Sequence, residues 1–283
     1  MLRSVMWTLL TLAGLAAALV LLLGCYEPRM IYFPARDIER TPADLGLAFE
    51  DVRLETADGE QIHGWYLPAG SPSTLTVLFL HGNAGNISHR FEKLSVFRAL
   101  GADVLIIDYR GYGRSSGKPN EKGTYRDADA AYEYLVATRG LDPKRVVLYG
   151  ESLGAAVAVD VAARKPVGGL VLESVFSSGV DVGQEMFPFL PARLLVRNRY
   201  ESVKKIGAVQ APVLILHSRD DEFFRWHHPQ RLYDAATGPK KLVELRGGHN
   251  DAFLVSSREY AAALAAFFGE VAAGIPPPAQ TKN

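Results

Sequence analysis

Short apolar segments alternate with amphipathic segments along most of the chain. Eight segments rich in β-branched and aliphatic residues predict β-strands, over residues 49–55, 61–67, 74–80, 103–107, 145–149, 169–172, 213–216 and 242–245. Segments with helical periodicity predict α-helices between them, over residues 90–100, 125–138, 155–163, 229–236 and 256–268. This alternation predicts a mostly parallel sheet with helices on both faces, whose chemistry lies at the carboxyl ends of the strands.

One segment, residues 177–205, interrupts the alternation, and we call it the lid segment. It carries two prolines and a group of large apolar side chains: Met186, Phe187, Phe189 and Leu190. Apolar residues in a long irregular connection are typical of a small lid over a binding site, and a surface loop with local packing is the alternative.

The amino-terminal 25 residues differ in character from the rest of the chain. Residues 6–23 carry no charged side chain and, as a helix, would be about 27 Å long, close to the hydrocarbon thickness of a bilayer. We therefore expect a membrane helix, either retained as an anchor or cleaved as a signal peptide. Leu22-Leu23-Gly24-Cys25 also resembles a bacterial lipobox, in which the cysteine is acylated and becomes the first mature residue.

The predicted domain organisation has four parts. These are a signal or membrane anchor, a tether, an α/β domain and a disordered tail, over residues 1–25, 26–46, 47–273 and 274–283. The lipobox places the α/β domain on the periplasmic side of a bacterial inner membrane, which we favour. The arginines that follow the span favour a cytoplasmic domain instead, by the positive-inside count.

Composition narrows the classes of function. Lys plus Arg and Asp plus Glu both number 31, so no basic excess exists to bind a nucleic acid. With 48% hydrophobic residues among 283, the chain can bury a full α/β core. Cys25 is the one cysteine, which excludes an intrachain disulfide. The sequence has no metal signature, neither H-E-x-x-H nor a cysteine cluster, and no cofactor is expected.

The pentapeptide Gly150-Glu151-Ser152-Leu153-Gly154 carries the strongest chemical signal. It lies between the fifth predicted strand and an Ala/Val-rich helix, which is the strand–turn–helix context of a nucleophile elbow. Such a turn holds the serine hydroxyl at the carboxyl edge of the sheet, where the helix N-terminus directs its N–H groups. The sequence therefore predicts a serine hydrolase.

A serine hydroxyl needs a base to take its proton and a carboxylate to orient that base. In this fold class the chain order is serine, acid, histidine. His249 follows the last predicted strand on a Gly-rich loop and is the predicted base. Three carboxylates follow the seventh predicted strand and compete for the role of the acid: Asp220, Asp221 and Glu222.

An acyl-transfer site also needs an oxyanion hole. One donor is expected to be the backbone N–H of Leu153, the residue after the nucleophile. The other is expected from the Gly-rich loop 81–86, after the third predicted strand. We assign the N–H of Asn83, with that of Ala84 as the alternative.

Other polar positions are expected to be structural. His227 and His228 stand at a helix start, where we expect them to cap the helix or to face solvent. The loop 108–117 is expected to brace its neighbours, and substrate contact by Tyr112 or Arg114 is the alternative.

Four motifs, in this order, resemble the α/β-hydrolase superfamily: H-G-N-A-G-N at 81–86, D-Y-R-G-Y-G at 108–113, G-E-S-L-G at 150–154 and G-H at 248–249. From about residue 30 to residue 270 the chain is most similar to single-span hydrolases such as the fungal bud-emergence protein and α/β-hydrolase domain-containing protein thirteen. Those proteins share a membrane segment followed by a Tyr-x-Pro-like tether, here Tyr32-Phe33-Pro34. The resemblance implies an α/β-hydrolase fold with a mostly parallel eight-stranded sheet.

The resemblance also bears on the acid. Family members carry an Asp-Glu-Val-x-Pro-like segment, which the run D-E-F-F at 221–224 matches, so the resemblance implies that Asp221 is the acid. The chain departs from the family pattern at Ser218, where glycine is usual, and at Arg225, where proline is usual.

We therefore expect a membrane-associated serine hydrolase that cleaves carboxylic ester or thioester bonds through an acyl-enzyme. Its substrate would be a small molecule or an acylated compound. The expected catalytic residues are Ser152, Asp221 and His249, with an oxyanion hole at Asn83 and Leu153. Two alternatives stay open. One is a peptidase, because the chain is also similar to serine aminopeptidase-like proteins, and the other is a non-catalytic binding protein of the same fold.

Overall fold

The computed structural model describes residues 2–70 and 73–275, without many side chains of the first 25 residues, that of Cys25 among them. The helices are α1 Leu2–Ile31, α2 Phe91–Ala99, α3 Glu121–Glu133, α4 Leu153–Arg164, α5 Gly179–Met186, α6 Ala192–Leu195, α7 Ser202–Lys205, α8 His227–Ala235, α9 Ala252–Val255 and α10 Ser257–Ala273. The strands are β1 Phe33–Pro34, β2 Glu50–Glu55, β3 Gln61–Leu67, β4 Thr76–Leu80, β5 Ala84–Gly85, β6 Asp103–Ile107, β7 Val146–Glu151, β8 Gly169–Glu173, β9 Val213–Ser218 and β10 Lys240–Leu245.

Eight strands form the central sheet, in the order β10-β9-β8-β7-β4-β6-β3-β2. Strand β3 runs antiparallel to both of its neighbours, β2 and β6, and the other neighbouring strands are parallel. The predicted mostly parallel eight-stranded sheet is confirmed. The predicted strands begin and end within two residues of the observed ones.

Two hydrophobic cores cover the faces of the sheet. In β4, which is buried throughout, Leu78 and Leu80 point into one core, and Val77 and Phe79 point into the other. Helices α3 and α4 contribute to the first core, and α2 and α10 contribute to the second. A continuous apolar segment is therefore the correct pattern for a strand that is buried on both faces.

Helix α4 packs very closely against the sheet, and two glycines permit this. A Cβ atom at Gly154 would lie 1.9 Å from the carbonyl oxygen of Leu80, and one at Gly150 would lie 2.4 Å from the carbonyl oxygen of Gly154. Both obstacles are backbone atoms, so a side chain at either position would force strand and helix apart. Close approach thus explains both glycines of the pentapeptide.

Replacing Gly154 by alanine is expected to lower the free energy of unfolding by about 3 kcal/mol or more, because the new methyl group would overlap the Leu80 carbonyl. The matched control is Gly269→Ala, at an exposed position of α10 where an added Cβ has no neighbour within 4 Å. There the same change is expected to stabilise by about 0.5–1 kcal/mol. Urea unfolding followed by circular dichroism measures both effects. Equal stability of Gly154→Ala and wild type would contradict the packing argument.

The predicted tether, residues 26–46, does not lie free of the domain. Its strand β1 pairs in parallel with β5. The Phe33 N–H donates to the Asn83 carbonyl at 2.9 Å, and the Ala35 N–H donates to the Gly85 carbonyl at 3.0 Å. The segment therefore packs against the loop 81–86.

Among the residues that the structure describes, no helix is both long enough and apolar enough to cross a membrane. The predicted membrane helix falls in the first part of α1, where many side chains lie outside the described set. The anchor, the lipobox and the side of the membrane stay predictions. The predicted tail lies outside the described residues from residue 276 onward.

The lid segment contains three short helices, α5 to α7. It exposes five large apolar side chains to solvent: Met186, Phe187, Phe189, Leu190 and Leu194. Its far end is attached to α1, because Glu27 accepts the backbone N–H groups of Arg197 at 2.8 Å and Asn198 at 2.9 Å. Its role as a lid stays a prediction.

Candidate active site

Ser152 stands at the turn between β7 and α4 in a strained conformation. Its φ is +53° and its ψ is −114°, a region that residues with a side chain rarely adopt. The Ser152 N–H donates to the Glu173 carbonyl at 2.9 Å, and the close contacts of the flanking glycines hold the same turn. The predicted elbow is therefore present, with its serine at the carboxyl end of β7.

The register of the sheet brings the loop 81–86 beside this serine. Leu80, the last residue of β4, pairs with Gly150 of β7, so the two chains leave the sheet at the same edge. A Cβ atom at Gly82 would lie 3.6 Å from the Ser152 Cβ. The backbone just before Asn83 is therefore in contact distance of the elbow.

Ser152, His249 and Asp221 form a continuous hydrogen-bonded chain. His249 Nε2 lies 3.0 Å from Ser152 Oγ, and His249 Nδ1 lies 2.8 Å from Asp221 Oδ2. Because a carboxylate can only accept, Nδ1 carries the hydrogen and Nε2 is free to accept the serine proton. The geometry is that required of a nucleophile, a general base and an orienting carboxylate.

The environment keeps Asp221 ionised. Burial alone would raise the pKa of this carboxyl group, but the hydrogen bond with His249, the charge of that imidazole and the Phe224 N–H outweigh burial and lower the pKa below its ordinary value. Its Oδ1 accepts the N–H groups of Phe223 at 2.9 Å and Phe224 at 2.7 Å. An ionised carboxylate in this place can stabilise an imidazolium on His249.

The two rival carboxylates take other positions. Asp220 is exposed, and its Oδ2 accepts the Gly247 N–H at 3.4 Å. Glu222 accepts the backbone N–H of His249 at 2.9 Å, so it holds the histidine loop rather than the imidazole. Only Asp221 of the three contacts the imidazole. This function of Glu222 was not predicted, since nothing in the sequence separates it from its neighbours.

The two predicted oxyanion donors have free amides. Leu153 is the first residue of α4, where a backbone N–H has no partner within the helix. Within the described residues, neither the Leu153 N–H nor the Asn83 N–H donates a hydrogen bond to the protein. Ala84, the alternative, belongs to β5, which pairs with β1. The choice between Asn83 and Ala84 stays a prediction.

The carbonyl and the side-chain nitrogen of Asn83 have hydrogen-bond partners, which fix its loop. The Tyr112 hydroxyl donates to the Asn83 carbonyl at 2.6 Å, and Asn83 Nδ2 donates to the Ile31 carbonyl at 2.7 Å. Tyr112 is fully buried, so it shapes the loop from behind and does not face a substrate. Arg114 is half-exposed and lies 3.9 Å from Asp51. These placements agree with a structural role for the loop 108–117.

A buried ion-pair network under the elbow was not predicted. Lys93 of α2 lies 2.9 Å from Glu151 and 2.8 Å from Glu173. Burial would raise the pKa of Glu151, but the charge of Lys93 lowers it to about 2. The three side chains come from separate segments, so no local pattern could join them. The one available signal is a lysine among the apolar residues of α2.

His217 of β9 supports the acid loop as a neutral side chain. Its Nε2 donates to the Phe224 carbonyl at 2.7 Å, and this nitrogen lies 3.7 Å from Asp221 Oδ2. Burial is the main cause that lowers its pKa to about 4. The imidazole therefore stays uncharged at neutral pH.

The low pKa of His217 predicts that the free energy of unfolding depends on pH. Between about pH 6.5 and pH 4 the unfolded chain binds a proton at His217 that the folded protein does not, so the free energy of unfolding falls as pH falls through this range. The expected loss is about 3 kcal/mol for a shift of this size. Urea unfolding at a series of pH values should show a shallower slope for His217→Gln than for wild type. Parallel slopes would show that His217 does not contribute.

The expectation for one histidine of α8 was wrong. His227 is half-exposed, as expected, but His228 is completely buried. The first turn of α8 lies beneath the start of the lid segment, where His228 Nδ1 contacts Ser177 Oγ at 2.8 Å. Sequence pattern alone could not show that a distant segment covers this turn.

Comparisons with known proteins agree with this architecture. Residues 76–195 match the family described as alpha/beta hydrolase fold. The chain is 40% identical over 262 residues to the uncharacterized protein Rv2307c of Mycobacterium tuberculosis. The alignment covers 92% of this chain and 93% of that protein. The chain is 32% identical over 273 residues to the alpha/beta hydrolase domain-containing protein WAV2 of Arabidopsis thaliana, covering 87% of this chain and 89% of the relative.

A solved structure shares the fold. The Pyrococcus furiosus esterase Pf2001 aligns with a TM-score of 0.71 at 22% sequence identity, over 84% of this chain and 98% of the esterase. The chain belongs to the α/β-hydrolase superfamily.

Proposed function

We propose that the protein is a serine hydrolase that cleaves carboxylic ester or thioester bonds through an acyl-enzyme. The observation that carries this proposal is the chain of contacts from Ser152 Oγ through the imidazole of His249 to the carboxylate of Asp221, at 3.0 Å and 2.8 Å. Acyl transfer requires a nucleophile, a base and an orienting carboxylate in contact of this kind, which supports the proposal. The esterase name of the structural neighbour Pf2001 favours ester bonds.

In the first half-reaction His249 Nε2 takes the Ser152 proton as Oγ attacks the substrate carbonyl carbon. The oxygen that becomes negatively charged accepts hydrogen bonds from the free N–H groups of Asn83 and Leu153. His249 then gives its proton to the leaving alcohol or thiol, and Asp221 stabilises the imidazolium between the two steps. In the second half-reaction His249 Nε2 takes a proton from water as its oxygen attacks the acyl carbon, the bond to Ser152 Oγ then breaks, and His249 returns the proton to Oγ as the acid leaves.

Acylated substrates are favoured by the apolar surface of the lid segment. Phe189 is 98% exposed and Leu194 is 77% exposed, and the segment is attached to the amino-terminal helix through Glu27. We propose that the protein is membrane-associated through this helix, with a periplasmic α/β domain, and that it belongs with the single-span hydrolases. Membrane fractionation and mass spectrometry of the mature amino terminus test the anchor and acylation of Cys25.

The test of the activity is a substrate panel. p-Nitrophenyl esters and acyl thioesters of increasing chain length are assayed beside aminoacyl p-nitroanilides, with Ser152→Ala as the control for each substrate. Hydrolysis of esters or thioesters by wild type alone supports the proposal. Faster turnover of the anilides would identify a peptidase instead.

A separate measurement addresses the non-catalytic alternative. A fluorophosphonate probe labels a serine only when a base activates its hydroxyl. Labelling of wild type but not of Ser152→Ala is expected. A well-folded wild-type protein that stays unlabelled would identify a binding protein of the same fold.

A further inference from the structure

Three side chains with metal-binding atoms meet where the lid segment contacts α8. Glu185 is on α5, and His227 and His228 begin α8. The Nε2 atoms of His227 and His228 lie 2.8 Å and 3.4 Å from Glu185 Oε1. One ligand atom of each residue lies within 4.8 Å of the others, and the described part of the chain holds one such group.

His228 is the informative member of this group, because it is fully buried. Its Nε2 has no hydrogen-bond partner among the described residues, although it faces the Glu185 carboxylate. A buried polar atom left without a partner destabilises a folded protein, so such atoms are rare. A buried His228 Nε2 without a hydrogen-bond partner among the described residues therefore suggests a ligand at this atom.

The other ring nitrogen of His228 contacts Ser177 in two ways. His228 Nδ1 lies 2.8 Å from Ser177 Oγ, and that hydroxyl donates to Asp181 Oδ2 at 2.6 Å. The Ser177 N–H also donates to Nδ1, at 3.3 Å, so without a metal Nδ1 accepts and Nε2 carries the imidazole hydrogen on the side of the Glu185 carboxylate. A cation bound to Nε2 would shift that hydrogen to Nδ1, where Ser177 Oγ is placed to accept it.

The ligand set fits a transition-metal ion. Two imidazole nitrogens and one carboxylate oxygen are a common ligand set of Zn²⁺, with water as the fourth ligand. Ligating histidines donate their other N–H to a second protein group, and Ser177 Oγ, 2.8 Å from His228 Nδ1, is placed to accept it in the metal-bound form. His227 and Glu185 are partly exposed, which leaves room for an ion to enter and for the side chains to adjust.

We propose that Glu185, His227 and His228 bind one Zn²⁺ or similar divalent transition-metal ion that joins the lid segment to α8. Glu185 belongs to the lid segment and the histidines belong to α8, so the ion connects two elements far apart in the sequence. The Phe224 ring lies 6.0 Å from the His228 ring and 5.0 Å from the His249 ring. The ion would thus join the lid segment to α8 beside the acid loop.

Metal binding is tested by calorimetric titration of chelator-treated full-length protein with Zn²⁺. One ion per chain is expected, with at least 10-fold weaker binding for Glu185→Gln and His227→Ala, both at partly exposed positions that should not impair folding. Ser177→Ala is expected to weaken binding by about 10-fold through loss of its bond to His228. The matched control is His89→Gln, because His89 is a partly exposed histidine 3.3 Å from Glu39, and binding should be unchanged. The His249→Gln variant should also keep the site.

A second measurement follows the lid segment itself. Chymotrypsin is expected to cut after Phe189, which is 98% exposed, and Zn²⁺ should slow this cut several-fold in wild type but not in Glu185→Gln. Absence of stoichiometric binding of Zn²⁺, Co²⁺ and Ni²⁺ would overturn the proposal. So would binding that survives both Glu185→Gln and His227→Ala, or a cleavage rate that Zn²⁺ leaves unchanged.

Discussion

Replacing Ser152 by alanine is expected to lower kcat for an ester substrate by about 10⁴- to 10⁶-fold, with little change in KM. The substitution removes the attacking oxygen but keeps the Cβ atom, so the strained turn at φ +53° is not altered. Binding and the free amides of Asn83 and Leu153 remain, which should leave a residual rate above that of water. Initial rates on a p-nitrophenyl ester measure the loss, and circular dichroism checks the fold.

The same experiment extends to the imidazole. His249→Ala should cost about as much as Ser152→Ala, and the double variant should be no slower than either single variant, because residues that act as one unit are not additive. Losses that multiply in the double variant would show that the two side chains act separately. An activity that persists in Ser152→Ala would move the nucleophile elsewhere.

Asp221→Asn is expected to lower kcat by about 10⁴-fold. The amide oxygen can still accept the N–H groups of Phe223 and Phe224, so the loop should keep its shape. The amide NH₂ would face His249 Nδ1 and donate to it, which places the imidazole hydrogen on Nε2. In that tautomer the imidazole cannot accept the Ser152 proton.

The neighbouring acid provides the control for this effect. Asp220→Asn makes the same chemical change one residue earlier, at an exposed side chain that does not contact the imidazole. Its kcat should stay within a few-fold of wild type. Steady-state kinetics of the two variants decide the assignment, and a large loss in Asp220→Asn with a small one in Asp221→Asn would reverse it.

The fold was predictable because its signals are local. A strand buried on both faces needs a continuous apolar segment, and β4 and β6 have one. The elbow was predictable for a similar reason, since close approach of strand and helix excludes a side chain at Gly150 and Gly154. Few unrelated sequences combine such apolar segments with glycines at these two positions, so the pattern indicates the fold.

The finer arrangement of the site depended on contacts between distant segments. Three adjacent carboxylates follow β9, and only the turn in which Asp221 accepts two successive N–H groups aims that side chain at His249. Glu222 could be assigned only once its contact with the His249 backbone was seen. The burial of His228 likewise depends on the position of the lid segment, which no periodicity encodes.

Truncation for crystallography should respect the short ladder between β1 and β5. Discarding everything up to residue 46 as a linker would delete the Phe33 and Ala35 N–H groups, which donate to the Asn83 and Gly85 carbonyls. It would also delete Ile31, whose carbonyl accepts Asn83 Nδ2 at 2.7 Å, and Glu27, which holds the end of the lid segment. A recombinant protein that starts at Tyr26 keeps all of these contacts and lacks the uncharged apolar segment at residues 6–23. A start at Tyr26 therefore removes the apolar amino terminus and leaves the support of the catalytic loop intact.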